Sequence, residues 1–352
     1  MTELFPSSRP WVIAGPCSAE SEGQVMSTAS ALKERGIAVF RAGIWKPRTN
    51  PGCFEGVGEK GLPWLCRVRD ELGMKVCTEV AGAPHVRACL EAGLDLLWIG
   101  ARTTANPFLV QEIAEALEGT DVPVLIKNPI NSDISLWVGA IERFRRRGVT
   151  NLGVIHRGFS TFDQIKYRNA PHWQYAIELR SRYPQMPFFC DPSHMSGSTG
   201  YIAEISQRAL DLGLDGLMIE SHCNPSCALS DARQQLTPEE LGSLLASLVV
   251  RQSSSNDEGY NESLAQLRDR IDVIDDSLVH LLGQRMAISR EIGKFKKTNN
   301  IAIIQTARWD EVMEAADKAG AAYSLDRDFL RKIFNAIHEA SAAEQNKIIS
   351  EQ

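Results

Sequence analysis

The stretch PFFCDPSH, residues 187–194, decides the fold class because a short apolar run stops at groups that are costly to bury. The apolar part is typical of a buried parallel strand, and the polar groups after it are Asp191 and His194. Similar runs recur through the first two thirds of the chain, at 11–15, 38–44, 75–80, 96–101, 123–128, 152–158 and 216–222. The sequence therefore predicts eight buried strands.

Segments of helical periodicity separate several of these strands. Examples are 24–35, 84–92, 107–117 and 199–212, and glycines follow three of them, as expected of helix C-caps. Eight strands alternating with helices over about 240 residues are typical of an α/β fold, a (β/α)8 TIM barrel. Periodicity alone leaves a doubly wound open sheet as the alternative.

The ends of the predicted strands favour the barrel. Each strand closes at or near a residue that is costly to bury, in chain order Cys17, Arg41, Glu79, Arg102, Lys127, His156 with Arg157, Asp191 with His194, and Glu220 with His222. Any one of them is explained by a strand end that reaches solvent. Together they indicate a single mouth, which is where barrel active sites lie.

Two sets of residues at this mouth predict its ligands. The cations are Arg41, Lys46, Arg48, Arg102, Lys127 and Arg157. So many cations repel each other unless anions join them, so we expect a substrate with phosphates and a carboxylate. The second set, which suits a divalent transition metal such as Mn, Fe, Co or Zn, is Cys17, His194, Glu220 and Asp231.

Composition excludes several function classes. The chain of 352 residues is 43% hydrophobic and 23% charged, which is the range of globular proteins. Its net charge of −6 argues against a nucleic-acid surface. No apolar run approaches the roughly 20 residues that span a bilayer, and no secretory signal is visible. We therefore expect a cytoplasmic protein.

The composition changes at residues 251–261, which are polar, short-sided and without periodicity. We interpret them as a linker between a barrel domain, 1–250, and a small all-α domain, 262–352. The second domain opens on an apolar repeat that predicts a helix of more than thirty residues, formed by Leu264, Leu267, Ile271, Ile274, Leu278, Leu281, Ile288, Ile292 and Phe295. Such a helix needs partner helices, so we expect a homodimer.

Arg285 interrupts this apolar repeat. A buried arginine is costly unless it is paired. It therefore either sets the register of a helix seam or binds a buried anion, and its spacing from Arg268 and Lys296 leaves both interpretations open.

The barrel motifs resemble the 3-deoxy-D-arabino-heptulosonate 7-phosphate (DAHP) synthase family, in its short form. The resemblance runs in order through residues 9–250 and rests on GPCSAE (15–20), KPRT (46–49), GEKG (58–61), IGAR (99–102), IKN (126–128), HRG (156–158), DPSH (191–194) and ALSD (228–231). It implies a metal-dependent, aldol-like condensation of phosphoenolpyruvate with erythrose 4-phosphate on a TIM barrel.

The same resemblance implies a role for each matched residue. Cys17, His194, Glu220 and Asp231 would hold one divalent metal, with Mn expected and Fe, Co or Zn as alternatives. Arg48 and Thr49 would bind the phosphate of erythrose 4-phosphate. Lys127 is also a candidate proton donor. The residues that would bind phosphoenolpyruvate are Arg41, Lys46, Arg102, Lys127 and Arg157.

The helical tail, about residues 262–350, resembles the all-helical chorismate mutase family. The resemblance implies that Arg285 and the partner chain's Arg268 bind the two substrate carboxylates and that Lys296 and Gln345 contact the ether oxygen. Arg308 and Ser341 would make supporting contacts. Because the rearrangement of chorismate to prephenate is pericyclic, this domain needs no cofactor. Gln305 and Trp309 depart from the family pattern, since acidic residues often stand at their positions.

Three hypotheses follow. The first is a bifunctional enzyme of the shikimate route to the aromatic amino acids. In the second, an inactive mutase-like domain dimerises the chain and regulates the barrel by sensing chorismate or prephenate, with prephenate as the expected feedback ligand. The third is a Schiff-base aldolase that uses Lys127 and needs no metal.

Overall fold

The protein is described here by a computed structural model that covers residues 1–47, 52–161, 166–251, 254–304 and 306–350. The chain divides into two compact units, Met1–Ser253 and Ser254–Gln352. In the part of the chain that the structure describes, no helix combines the length and the apolar composition needed to cross a membrane.

Eight parallel strands close into a barrel in chain order. They are β1 (Trp11–Gly15), β2 (Val39–Arg41), β3 (Lys75–Val80), β4 (Leu96–Ile99), β5 (Val124–Lys127), β6 (Leu152–His156), β7 (Phe188–Cys190) and β8 (Gly216–Glu220). Strand β1 pairs with both β2 and β8, and Gly15 lies opposite Glu220. The predicted barrel is confirmed, and the open sheet is excluded because the first and last strands pair.

Helices surround the barrel. They are α1 (Glu22–Lys33), α2 (Leu62–Leu72), α3 (Ala83–Glu91), α4 (Ala101–Thr104), α5 (Pro107–Ala116), α6 (Ile134–Arg146), α7 (Trp173–Arg182), α8 (Pro192–Ser196), α9 (Ile202–Asp211) and α10 (Pro238–Ser247). The local sequence determines where several of these helices begin. Asn106 and Asp133 accept hydrogen bonds from first-turn amides of α5 and α6, and Thr237 forms a capping box with Glu240 at the start of α10.

The alternation of side chains along each strand separates the barrel core from the site. Inward-facing apolar side chains fill the barrel, among them Ile13, Val39, Trp98, Leu125, Ile155, Phe189 and Met218. On several strands, the next residue that points to the same face, two positions further along the chain, is polar. These polar residues are Arg41, Lys127, Asp191 and Glu220. A layer of charged side chains therefore lies directly above an apolar core, at the carboxyl ends of the strands.

The second unit consists of α11 (Glu258–Thr298), α12 (Thr306–Ala322) and α13 (Arg327–Ser350). The predicted long helix is confirmed, since α11 has 41 residues, and it starts at Glu258 because Asp257 caps it. Helix α13 packs closely on α11: a Cβ added to Gly293 would lie 3.2 Å from Gln345 Cα. Along α11, Leu267, Ile271 and Leu278 remain more than half exposed.

Candidate active sites

A cavity of about 80 Å³ lies at the carboxyl ends of the barrel strands. Six residues that the sequence predicted for the site line it, namely Lys46, Arg102, Lys127, Arg157, His194 and Asp231. Arg102 is exposed on α4, whereas Lys46 and Lys127 are buried. Arg48 and Thr49 lie outside the described residues, as does Gln305.

The four predicted metal ligands come together in two close pairs. The thiol of Cys17 donates to Asp231 Oδ2 over 3.3 Å, and His194 Nε2 lies 3.7 Å from Glu220 Oε1. Glu220 Oε1 is buried and accepts no hydrogen bond, although Arg41 Nη2 lies 3.3 Å away. Across the described residues, no group of three or more His, Cys, Asp or Glu side chains is arranged as a metal centre.

Two glutamines support these ligands from the segment after β8. Gln234 Nε2 donates to Glu220 Oε2 over 2.7 Å, and Gln235 Oε1 accepts from the Cys17 amide over 3.0 Å. Both glutamines are buried. Their positions follow from a short 3-10 helix over Ala232–Gln234, and no strand-end pattern in the sequence pointed to them.

Burial and neighbouring charges shift the pKa values of the ligands in opposite directions. Burial, with a further contribution from Glu220, raises the pKa of the Cys17 thiol to about 12. Burial alone would also raise the pKa of Asp231, but His194 and Arg168 outweigh it and hold that pKa below its usual range. The site thus pairs a neutral thiol with a carboxylate.

The buried cations each have a defined acceptor. Arg41 Nη2 donates to the Cys17 carbonyl oxygen over 3.3 Å, and its guanidinium lies 4.9 Å from the centre of the Trp98 ring. Lys46 Nζ donates to the same carbonyl oxygen over 3.1 Å. Arg41 Nε and Nη1 are buried and form no hydrogen bond, so this guanidinium keeps donors for an anion.

Lys127, Asp191 and His194 form a connected network. Lys127 Nζ donates to Asp191 Oδ2 over 2.6 Å, and His194 Nδ1 lies 2.8 Å from the same oxygen. Burial raises the pKa of Asp191, yet His194 and Lys127 outweigh it and hold the pKa well below its usual range. The Asp191 carboxylate therefore stays charged and forms a buried ion pair with Lys127.

Arg157 is held on two sides by asparagines. Its amide donates to Asn128 Oδ1 over 2.7 Å, and its Nη1 donates to Asn169 Oδ1 over 2.9 Å. Burial lowers the pKa of Arg157 to about 10. By contrast, the neighbouring His156 ring packs outward against Trp137 and Trp173, so it is a core residue and not part of the mouth.

The sequence reasoning missed Arg168. This arginine lines the cavity and donates from Nη1 to Asp231 Oδ1 and to Gln234 Oε1, each over 3.0 Å. It lies between β6 and β7 and not at a strand end. No strand-end pattern in the sequence therefore indicated it.

A second cavity, of about 280 Å³, lies within the helical unit. Five predicted residues line it, namely Arg285, Lys296, Arg308, Ser341 and Gln345. Arg285 Nη1 donates to Ser341 Oγ over 2.6 Å, and Lys296 Nζ donates to the Ile303 carbonyl oxygen over 2.5 Å. Gln345 Oε1 is buried without a hydrogen bond. This cavity therefore offers cations to a small anion, and the unbonded Gln345 Oε1 can accept a hydrogen bond from a hydroxyl group.

Arg268 does not join this cavity within one chain. It lies seventeen residues before Arg285 on the same straight helix, which places the two about 25 Å apart. Trp309 and His338 also line the cavity, and their ring centres lie 4.3 Å apart.

Comparisons with known proteins agree with both units. Residues 7–254 match the model of the DAHP synthetase I family, and residues 267–346 match the model of chorismate mutase type II. The phospho-2-dehydro-3-deoxyheptonate aldolase of Thermotoga maritima is 35% identical over 225 residues, which is 64% of this chain and 64% of that protein. This chain therefore spans a little less than two thirds of that relative.

Other relatives extend the comparison. The 2-dehydro-3-deoxyphosphooctonate aldolase of Desulfotalea psychrophila is 30% identical over 271 residues, which is 70% of this chain and 91% of that protein. The crystal structure of the Thermotoga maritima DAHP synthase superposes with a TM-score of 0.61 at 34% identity and covers 67% of each chain. The chain therefore belongs to the DAHP synthetase I family and carries a chorismate mutase type II domain after its barrel.

Proposed function

We propose that the barrel condenses phosphoenolpyruvate with erythrose 4-phosphate to give DAHP and phosphate. The observation that carries the proposal is the cluster of Lys46, Arg102, Lys127 and Arg157 around one cavity, beside a mixed thiol, imidazole and carboxylate set. The two substrates bring two phosphates and one carboxylate, which are the anions that such a cluster stabilises.

The chain's own groups have separate tasks in this reaction. C3 of phosphoenolpyruvate forms a bond to the aldehyde carbon, water adds at C2, and the phosphate leaves from C2. Arg157 and Arg41 stabilise the charge on the phosphate, since each is fixed by hydrogen bonds before substrate arrives. Lys127 is the proposed proton donor to the former aldehyde oxygen, because it lines the cavity and its Nζ is held in place by Asp191.

We also propose that Cys17, His194, Glu220 and Asp231 hold one divalent metal, with Mn²⁺ expected first and Fe, Co or Zn as alternatives. The mixture of sulfur, nitrogen and oxygen donors fits such an ion, and so does the buried, unbonded Glu220 Oε1. When bound, the metal supplies Lewis-acid polarisation of the aldehyde.

The direct experiment is a condensation assay on the full-length protein. We expect turnover of phosphoenolpyruvate with erythrose 4-phosphate, loss of activity in EDTA and recovery with Mn²⁺. A Schiff-base aldolase would instead trap substrate on Lys127 with borohydride and ignore the chelator. The ion pair of Lys127 with Asp191 argues against that alternative, because the nitrogen that would attack the substrate is engaged by a buried carboxylate.

A second sugar phosphate should be compared with erythrose 4-phosphate as the aldehyde substrate, because one relative is a 2-dehydro-3-deoxyphosphooctonate aldolase. Phosphoenolpyruvate contributes three carbons, so a heptonate product needs a four-carbon sugar phosphate and an octonate product needs a five-carbon one. The chorismate mutase domain on the same chain favours the four-carbon substrate, since chorismate lies further along the route from DAHP. A higher kcat/KM with arabinose 5-phosphate than with erythrose 4-phosphate would reverse this assignment.

For the helical unit, we propose rearrangement of chorismate to prephenate. The cavity lined by Arg285, Lys296 and Gln345 supports this because it can bind carboxylates and stabilise charge at the ether oxygen. Loss of chorismate on addition of the full-length protein tests the proposal. No turnover would favour the alternative, a mutase-like domain that only dimerises and regulates the barrel.

We propose that the mutase site is completed by Arg268 of a second copy. The distance of Arg268 from the cavity of its own chain and the exposed apolar residues of α11 support a homodimer through this helix. Mixing the inactive variants Arg268→Ala and Arg285→Ala would restore up to about a quarter of wild-type activity, because half the dimers are mixed and each mixed dimer has one intact site. No recovery would refute a shared site.

Feedback of prephenate on the barrel is also proposed, on the ground that both units share one chain. We expect prephenate to lower the condensation rate of the full-length protein. If the rate stays the same at saturating prephenate, regulation through this ligand is refuted.

A further inference from the structure

His338 lies in the wall of the helical cavity, although none of the substrate assignments above uses it. It precedes Ser341 by three residues and Gln345 by seven on α13, so all three side chains share one face of that helix. The His338 ring lies 4.3 Å from the Trp309 ring of α12, with 35° between the ring planes. This contact fixes an imidazole at the edge of the substrate cavity.

The charges around His338 make its protonation state matter. The charged groups that line the cavity are Arg285 and Lys296 from α11 and Arg308 from α12. Among the described residues of the lining, none is acidic. His338 is the one histidine among the described residues of the lining, and histidine is the side-chain type that most readily gains or loses a charge near neutral pH. A change in the charge of His338 would directly change the electrostatic attraction between the cavity and a substrate with two carboxylates.

We propose that His338 is a substrate-binding residue of the mutase site, that its imidazolium form strengthens binding of dicarboxylate substrate, and that Trp309 is its positioning residue. The proposal rests on the proposed mutase function. It explains how the cavity accommodates a tryptophan at position 309: the indole holds a neighbouring imidazole, which supplies the polar group on that side of the cavity.

The test measures kcat, KM and the calorimetric Kd for chorismate with full-length protein between pH 5.5 and 8.5. For the wild type we expect KM and Kd to rise roughly fivefold between pH 5.5 and pH 8.5, since one nearby partly exposed cation is lost. We expect a smaller change in kcat. In His338→Asn both constants should be independent of pH and close to the wild-type values at high pH.

Matched variants separate binding from folding. His280→Asn makes the same change at an exposed histidine of α11 outside the cavity lining, and it should keep the wild-type pH profile. Trp309→Phe should keep part of the pH dependence, and Trp309→Ala should weaken it. The condensation activity of the barrel and the thermal transition of the helical unit report whether each variant is folded. If His338→Asn unfolds, His338→Gln takes its place.

The outcomes distinguish the two proposals. Wild-type turnover with a pH profile that His338→Asn and His338→Gln leave intact would overturn the role of His338 and keep the mutase function. Absence of turnover in the wild type would overturn the mutase function, and the pH dependence of the chorismate Kd in the same variants would still decide the role of His338.

Discussion

Buried charges at the barrel mouth persist because each has a partner. Lys127 bonds Asp191, and Arg41 lies beside Glu220, while all four side chains are almost fully buried. A buried ion pair adds little stability by itself, but removal of one partner leaves the other charge buried and uncompensated. Substitutions of single members of this layer therefore affect both stability and chemistry.

Asp191→Asn tests this layer. We expect condensation activity to fall about a hundredfold, because Lys127 loses the buried carboxylate that holds it in place, and stability to fall by about 3 kcal/mol. Urea unfolding and the condensation assay measure the two effects. Asp211→Asn is the control, since Asp211 forms its hydrogen bonds to Arg251 and Gln207 on the surface and should change stability by less than about 0.5 kcal/mol. Equal effects in the two variants would contradict the argument.

Cys17→Ser tests the proposed metal ligands. Serine keeps the size of the side chain but removes the soft sulfur donor, so we expect Mn²⁺ affinity to fall by at least about tenfold. Equilibrium dialysis measures this without reference to activity. Cys66→Ser changes a half-buried cysteine outside the cavity and should leave Mn²⁺ affinity unchanged. Unchanged affinity in Cys17→Ser would remove Cys17 from the ligand set.

His156 predicts a pH dependence of barrel stability. Burial lowers its pKa to about 3, whereas an unfolded chain has a histidine pKa of about 6.5. Between these values the unfolded state binds a proton that the folded state does not, so stability is complete above pH ~6.5 and falls as the pH falls towards ~3.

Urea unfolding followed by tryptophan fluorescence at pH 7 and pH 4.5 measures this effect. His156→Gln should lose less stability between the two pH values than the wild type does, because it has no imidazole to protonate. His280→Gln, in the helical unit, should match the wild type. A His156→Gln slope equal to that of the wild type would show that other groups carry the acid sensitivity.

At the scale of elements, close helix contact shapes the mutase site. Gly293 lets α11 approach α13, and this approach brings Ser289 within 3.2 Å of Gln345 Nε2. Gly283 lies on the same helix, where an added Cβ would meet nothing within 4 Å. The two glycines therefore have different effects. Gly293 permits close packing of α11 on α13, whereas Gly283 makes no such contact and only lowers the stability of the helix.

Gly293→Val and Gly283→Ala form a matched pair. We expect Gly293→Val to destabilise the helical unit by about 1–3 kcal/mol and to lower mutase turnover, because the larger side chain forces α13 away. Gly283→Ala should stabilise the unit by about 0.5–1 kcal/mol. Thermal unfolding monitored by circular dichroism measures both. A neutral Gly293→Val would show that the helices can separate without cost.

In the whole molecule, each of the two compact units contains a candidate site lined by cations, although the net charge of the chain is −6. The overall charge therefore gives no sign of these local groups of cations. Helix α11 also carries a row of exposed apolar residues, which a second copy covers in our proposal.

Leu278→Glu tests the proposed assembly in the full-length chain. Leu278 is 52% exposed on α11, so the substitution should cost little within one chain but bury a charge between two. We expect weaker dimerisation through the helical unit and loss of mutase turnover, with condensation activity retained. Sedimentation and the two assays measure these outcomes.

Asp276→Glu, a conservative change at an exposed acidic position of α11, is the control. A mutase that stays fully active in Leu278→Glu would exclude this face as the dimer interface.

The barrel and the long helix followed from the sequence alone, and the sequence also predicted most of the charged residues that line the two cavities. Apolar runs that end in charged groups require buried strands with exposed carboxyl ends, and Arg41, Lys127, Asp191 and Glu220 followed from that rule. Likewise, an apolar repeat over more than thirty residues admits only a helix. These features depend on periodicity, which is a local property of the chain.

Only the tertiary structure decided which residues meet across long sequence separations. Arg168 donates a hydrogen bond to Asp231, and Gln235 accepts one from the Cys17 amide. The His338 ring lies 4.3 Å from the Trp309 ring. None of these contacts follows from a repeat or from a strand end, because barrel closure and helix packing bring the partners together. Hydrogen bonds and ring contacts act over a few ångströms in space, so the fold had to be known before these residues could join the sites.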